Sequence, residues 1–292
     1  MKGFKAAIRF SMISVQNTLQ RVEICIFFVV VFLTLSFCLP GAASFLWQTG
    51  GCVNVWEMYI WFMLSRITHM YYIFFAIFLA GQIIRFRSET AYYLIRADRK
   101  TWVFSQILSL FVTLLLFQIF LLLCFAILCG GRVTFSGTWY AADKATWSRY
   151  KAMVASSEVM SASNAWVKYN PHLIGGQTCL LSMLIGMFTG MLLLLFYLKR
   201  QTAYGVACLV FLWWMDYRIQ IFVAGEMAFE SFGGLALLSY ISPFGMSRLN
   251  NLYPYFGRIS FSYAVAFLTG TILLLFLLIL NASEELDFVK LE

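Results

Sequence analysis

The sequence predicts an all-α integral membrane protein: six transmembrane helices, an N-terminal interfacial amphipathic helix, and re-entrant outer helices before the sixth span. Composition is the first reason. Of 292 residues, 62% are hydrophobic and only 12% are charged, where a soluble domain carries about 25% charged residues. Mean hydropathy is +0.81. Length is the second reason, because several apolar runs exceed the ~20 residues that cross a bilayer as a helix. Third, basic residues crowd into short segments between those runs, and such segments face the cytoplasm under the positive-inside rule. The whole of 1–292 reads as a single transmembrane domain with both termini cytoplasmic and no sizeable soluble part.

The N-terminal segment 1–22 places Phe4, Ile8, Met12, Val15 and Leu19 on one helical face and Lys2, Lys5 and Arg9 on another. That pattern fits a helix lying in the cytoplasmic interface. A cleaved signal peptide is the weaker alternative, because the charged lead is long and more spans follow. The first span is expected from Ile24 to Leu46, with Glu23 at its inner mouth beside Arg21. Residues 50–65 read as an outer interfacial turn of helix, and the second span as Ile67 to Ile84. Since 56–84 is too long for one upright span, Arg66 is alternatively placed inside a longer tilted helix.

Residues 85–101 form the most basic connector, holding five of the 21 Lys and Arg (Arg85, Arg87, Arg96, Arg99, Lys100). The third span follows, Val103 to Cys129, with Gln118 near its middle expected to bond to another helix. Residues 130–171 make the largest hydrophilic interval. It is assigned to the outer face, with short amphipathic helices suggested by Trp147, Tyr150 and Val154. The fourth span, Leu173 to Leu198, carries Ser182, Gly186 and Gly190 at four-residue spacing. Small residues at that spacing let helix backbones approach closely, within the subunit or across a dimer. After the Lys199-Arg200 turn comes the fifth span, Thr202 to Ala224. Residues 225–258 mix apolar pieces with Gly, Pro and Asn and are assigned to outer re-entrant helices, whose backbone groups must be buried in protein. The sixth span, Ile259 to Leu280, has a second small-residue stripe that includes Ala266 and Gly270.

Chemistry-bearing patterns are sparse. No Gly-x-x-x-x-Gly-Lys-Ser/Thr phosphate loop and no His-Glu-x-x-His motif occurs. With two histidines, His69 and His172, and no Cys-x-x-Cys pair, a His-based triad or a metal site has little material. Cys38, Cys52 and Cys129 fall near outer span ends, where a disulfide among them and free thiols are both open. The net charge of +8 is accounted for by charges flanking spans. It points to membrane lipid as a partner and not to nucleic acid. Intramembrane charge is the remaining clue: a charge at a helix centre costs about 2.5–3.5 kcal/mol on insertion scales. Asp216 and Arg218 therefore either sit near an interface, are compensated by Arg66 or His69, or line a translocation path with them.

The assembled pattern resembles the type-2 permease subunits of ATP-binding-cassette transporters. The resemblance covers essentially the whole chain and rests mostly on layout. Its local likenesses are Glu89 after the second span, the aliphatic pair Leu94-Ile95, Arg99 leading into the third span, and Ser242-Pro243-Phe244 before the last. Ala97-Asp98 stands where the family often has a Pro in the coupling turn, and Ala91 where it often has a Gly. The resemblance implies a membrane subunit of a bacterial plasma-membrane exporter, with no enzymatic activity or cofactor of its own. ATP and Mg are bound by a separate ATP-binding cassette subunit, and a second permease copy or paralogue completes the dimer. Residues 85–101 would be the coupling helix, with Arg87, Glu89, Tyr92, Leu94, Arg96, Asp98 and Arg99 receiving the ATPase. The apolar, aromatic spans favour a hydrophobic or amphipathic cargo, such as an antimicrobial peptide or a drug-like molecule. The leading alternative is a non-transporting sensor or scaffold that docks a cytosolic partner through the same loop. A secondary transporter ranks third, since no internal repeat is visible.

Overall fold

The computed structural model describes residues 2–38, 52–64, 66–84, 99–135, 170–226, 241–247 and 260–284. In chain order these form α1 (Lys2–Leu19), α2 (Val22–Cys38), β1 (Val53–Asn54), α3 (Val55–Leu64), α4 (Arg66–Ile84) and α5 (Arg99–Leu128). Then follow β2 (Val133–Thr134), α6 (Pro171–Leu198), α7 (Thr202–Glu226), α8 (Pro243–Met246) and α9 (Phe261–Glu284). The chain is an all-α membrane protein. By length and apolar character α5, α6 and α9 each suffice to cross a bilayer, and α1 with α2 adds a fourth if that bent pair is one span. At 1.5 Å per residue, the 30 residues of α5 reach about 45 Å.

The amphipathic α1 does not extend α2 but meets it at 68°. Its buried line, Ala7, Ser11, Val15 and Thr18, faces the bundle, and Lys5 and Arg9 are exposed. The Ser109 hydroxyl of α5 reaches the Ser11 carbonyl at 3.4 Å, and Phe4 packs beside Phe104. At the bend, Arg21 donates through Nη1 to the Gln82 carbonyl (2.9 Å) and to Gln82 Oε1 (3.3 Å) at the end of α4. Further along, α2 docks through Phe27, stacked on Phe78 at 4.8 Å and edge-on to Phe75, and through Phe28 against Phe120.

Residues 55–84 are two helices and not one tilted helix. Arg66 opens α4, and the Thr68 hydroxyl donates to the Phe62 carbonyl across the break. Helix α3 is enclosed by protein along much of its length: Met58, Tyr59, Ile60 and Phe62 are buried. Its ten residues span about 15 Å, too short to cross alone, so its backbone and side chains depend on α5 and α6 around it. The amphipathic helices expected from Trp147, Tyr150 and Val154 lie outside the described residues. At the described edge of that interval stands a short strand, β2, paired in parallel with β1 (Val53 with Val133, Asn54 with Thr134).

Helix α6 is the hub. Asn170 caps it, accepting from the His172 amide at 2.9 Å, and Pro171 opens it, where a missing N–H costs nothing. It runs antiparallel to α5, because Gly186 lies opposite Leu114 and Gly190 opposite Leu110. It ends in a tight turn in which Arg200 takes φ 58° and the Gln201 amide returns to the Phe196 carbonyl at 2.8 Å. Helix α9 buries Ala264, Leu268, Leu275, Ile279 and Ala282 and exposes Leu273, Leu274, Leu277 and Leu278, the one-sided pattern of a helix bordered by lipid.

This packing sorts the ends of the bundle. The α1–α2 bend, the end of α4, the start of α5, the α6–α7 turn and the end of α9 share one end. Gathered there are Lys5, Arg9, Arg21, Arg99, Lys100, Lys199 and Arg200. The β1–β2 pair, Trp56 and the capped start of α6 share the other.

Candidate functional site

Midway through the bundle, four helices bring polar side chains to one point. Gln118 of α5 is met by Tyr59 of α3 and Tyr72 of α4, and Ser182 of α6 closes the group; all four are fully or almost fully buried. The Tyr59 hydroxyl donates to Gln118 Oε1 at 2.6 Å. Gln118 Nε2 donates to the Tyr72 hydroxyl at 2.7 Å, which in turn donates to the Ser182 carbonyl at 2.7 Å. The Ser182 hydroxyl lies 2.5 Å from the Tyr59 oxygen and 2.7 Å from the Thr178 carbonyl. Each hydroxyl hydrogen thus has an acceptor: Tyr59 gives its hydrogen to Gln118 and Tyr72 to the Ser182 carbonyl, while Ser182 has both the Thr178 carbonyl and the Tyr59 oxygen in reach, the second closing the circuit. In a low-dielectric interior a satisfied network holds one arrangement, because any rearrangement strands a polar atom.

The small residues beneath this group explain how the helices come so close. A Cβ on Gly190 would meet Leu110 Cδ2 at 2.3 Å, and one on Gly186 would meet Leu114 at 3.1 Å and the Tyr72 hydroxyl at 3.3 Å. Ser182, Gly186 and Gly190 therefore pack within this subunit, against α5 and α4. Ala266 and Gly270 differ: both are exposed, and nothing lies within 4 Å of a Cβ on Gly270. The described residues hold no helix against that stripe.

A second polar group sits around the single-turn α8. Ser242 caps its start, accepting from the Gly245 amide at 3.2 Å, and donates to Asp216 Oδ1 of α7 at 2.5 Å. Ser247 closes its end, donating to the Phe244 carbonyl at 2.8 Å, and lies 3.0 Å from His69 Nε2 of α4. Phe244 stands edge-on to Phe188 of α6, ring centroids 6.2 Å apart. Of the four residues named for a translocation path, Asp216 and His69 reach this turn. Positions two apart on a helix do not share a face, so Asp216 is buried while Arg218 is exposed, its guanidinium 5.8 Å from the Trp214 ring centre. Arg66 is placed as the first residue of α4; its side chain lies outside the described residues.

At the basic end, Arg99 Nη1 donates to the Glu284 carbonyl at 2.9 Å and Lys100 Nζ pairs with Glu284 Oε1 at 3.0 Å. The connector's exit into α5 is thereby tied to the end of α9. Arg87, Glu89, Tyr92, Leu94, Arg96 and Asp98 lie outside the described residues. At the opposite end, Trp56 Nε1 donates to His172 Nδ1 at 3.0 Å, and its ring covers Gly175 so closely that a Cβ there would come within 2.3 Å. Cys52 and Cys129 are free thiols. Among the described residues no cluster of His, Cys, Asp or Glu is arranged to hold a metal ion.

Sequence reasoning singled out Gln118 but none of its partners. Tyr59 and Tyr72 read as two aromatics among many, and only contact between helices separates them from the rest. Ser242 stands in the sequence beside Pro243 without any mark of its bond to Asp216, and nothing in the sequence singles out Ser247 as a partner of His69. No family model, curated protein or solved structure matches the chain.

Proposed function

We propose that the chain is the membrane-spanning permease subunit of an ATP-binding-cassette exporter. It moves a hydrophobic or amphipathic cargo outward using ATP hydrolysed, with Mg, on a separate subunit. The observation that carries the reading is the arrangement of the basic end. The 85–101 connector leaves from α4 and returns at α5 where α1 crosses the bundle, and Arg99 and Lys100 at its exit are clasped to Glu284 of α9. A push on the connector there would reach both the third and the last long helices. The clustering of cations at this end supports a cytoplasmic assignment for it under the positive-inside rule, and with it cytoplasmic termini; a bacterial plasma membrane is what the family resemblance implies.

Gentle purification from the native membrane, followed by identification of co-purifying chains, tests the reading. A stoichiometric partner carrying a phosphate loop is expected. Exchanging Glu89 and Arg99 for Ala is expected to uncouple ATP hydrolysis from transport while leaving membrane insertion intact. Recovery of the chain with partners that bind no nucleotide would favour the sensor or scaffold reading.

A further inference from the structure

The turn Ser242–Ser247 is held in a way its own sequence does not require. A helix of four residues makes too few main-chain bonds to be stable alone, yet this one is seated with Phe244 and Met246 fully buried. Its two end serines each do two things. Ser242 accepts from the Gly245 amide with a lone pair and spends its hydrogen on Asp216 Oδ1. Ser247 spends its hydrogen on the Phe244 carbonyl, so its contact with His69 has the imidazole Nε2–H as donor. The same hydroxyls that cap the turn therefore tether it, one to α7 and one to α4. Asp216 and His69 are ionisable groups, 5% and 2% exposed, and such groups are costly inside a membrane protein. Two of them, from helices far apart in the chain, converge on the two ends of one six-residue turn.

We propose that Ser242–Ser247 is a releasable plug, clasped by Asp216 at its start and His69 at its end, that unseats as a unit and thereby parts α4 from α7. The plug deepens the transport reading, since it names the contact that must break for a path to open at that end. Its first test does not depend on transport. Because its main-chain bonds are few, the turn holds only while both clasps and the Phe244 socket hold; losing one clasp shifts it towards the unseated state without loosening the α5–α6 core.

Hydrogen–deuterium exchange of the full chain in lipid nanodiscs, without nucleotide, reads this directly. Asp216→Ala and His69→Leu are each expected to speed exchange in the peptide covering 242–247 by about 10-fold or more, with peptides from α5 and α6 unchanged. Asp216→Asn and His69→Gln keep an acceptor and a donor, and are expected to stay near the parent rate. Equal acceleration in α5 and α6 would show general loosening and overturn the plug, as would an unchanged 242–247 peptide in both clasp-breaking variants. A second arm separates the two readings. In proteoliposomes containing the nucleotide-binding partner, exchange at 242–247 is expected to rise during turnover. Turnover without that rise would overturn the plug and leave the transport reading standing. Clasp-specific release in a chain with no such partner would support the plug and remove the transport reading.

Discussion

Replacing Tyr59 and Tyr72 together by Phe strips Gln118 of both hydroxyl partners while leaving its amide buried between α3, α4, α5 and α6. A buried polar group left unsatisfied costs about 1–3 kcal/mol, while hydrogen bonds inside membrane proteins average about 0.6 kcal/mol in double-mutant cycles. Two stranded groups, Oε1 and Nε2, therefore predict a loss of about 2–4 kcal/mol for the double variant. Gln118→Met in the parent costs less, about 1 kcal/mol. Tyr59 then still has Ser182 Oγ at 2.5 Å and Tyr72 still has the Ser182 carbonyl at 2.7 Å. In the Tyr59→Phe/Tyr72→Phe background the sign reverses, because Met removes the stranded amide and fills its space, and at least about 1 kcal/mol should return. Unfolding of the purified chain by titration with sodium dodecyl sulfate in mixed micelles, followed by tryptophan fluorescence, gives all four free energies. Equal destabilisation by Gln118→Met in both backgrounds would refute a closed network and leave the tyrosines as packing groups only.

Four further outcomes are expected. Gly190→Ala should destabilise by about 1–3 kcal/mol, the usual cost of overpacking, and Leu110→Ala should relieve part of it. Gly270→Ala should be neutral or gain up to about 1 kcal/mol of helix propensity; the same titration compares them. Arg21→Ala removes the bonds to Gln82, and amide exchange at the α1–α2 bend should accelerate while α6 stays protected. Glu284→Gln should change stability by less than about 1 kcal/mol, as for exposed ion pairs, because the bond from Arg99 goes to the main chain; a larger loss in the titration would show that the clasp is more than a surface pair.

Apolar runs announce long helices because lipid demands them. The bounds of α5, α6, α7 and α9 fall within a few residues of the expected spans, and among the described residues α5, α6 and α9 are long and apolar enough to cross a bilayer; for α2 only Val22–Cys38 is described. The same logic fails for α3. Its ten aromatic-rich residues read from composition as an interfacial turn, and only packing against α5 and α6 shows how deeply protein encloses them. Gln118 was legible because an amide in a run of Leu and Phe has to find a partner. Which partners it finds was not, since Tyr59 and Tyr72 reach it from 59 and 46 residues away. The two small-residue stripes read alike in sequence and part in space: Gly190 has Leu110 against it, and among the described residues nothing lies within 4 Å of a Cβ on Gly270. Asp216 and Arg218 were grouped as neighbours in the chain, and helical geometry sends them to different sides.

The network around Gln118 also sets a timetable. Tyr59 and Ser182 are separated by 123 residues, and at ~5–20 residues per second of synthesis some 6–25 seconds pass between their appearances. Through that interval α3 has no α6 to lie against, and at ten residues it cannot span the bilayer alone. Its entry into the bundle is therefore a late event, gated by the arrival of α6. A chain interrupted before Pro171 would leave α3 with its buried face in lipid or at the translocon. Variants that delay α6 should be cleared by membrane quality control even where their finished fold would be stable.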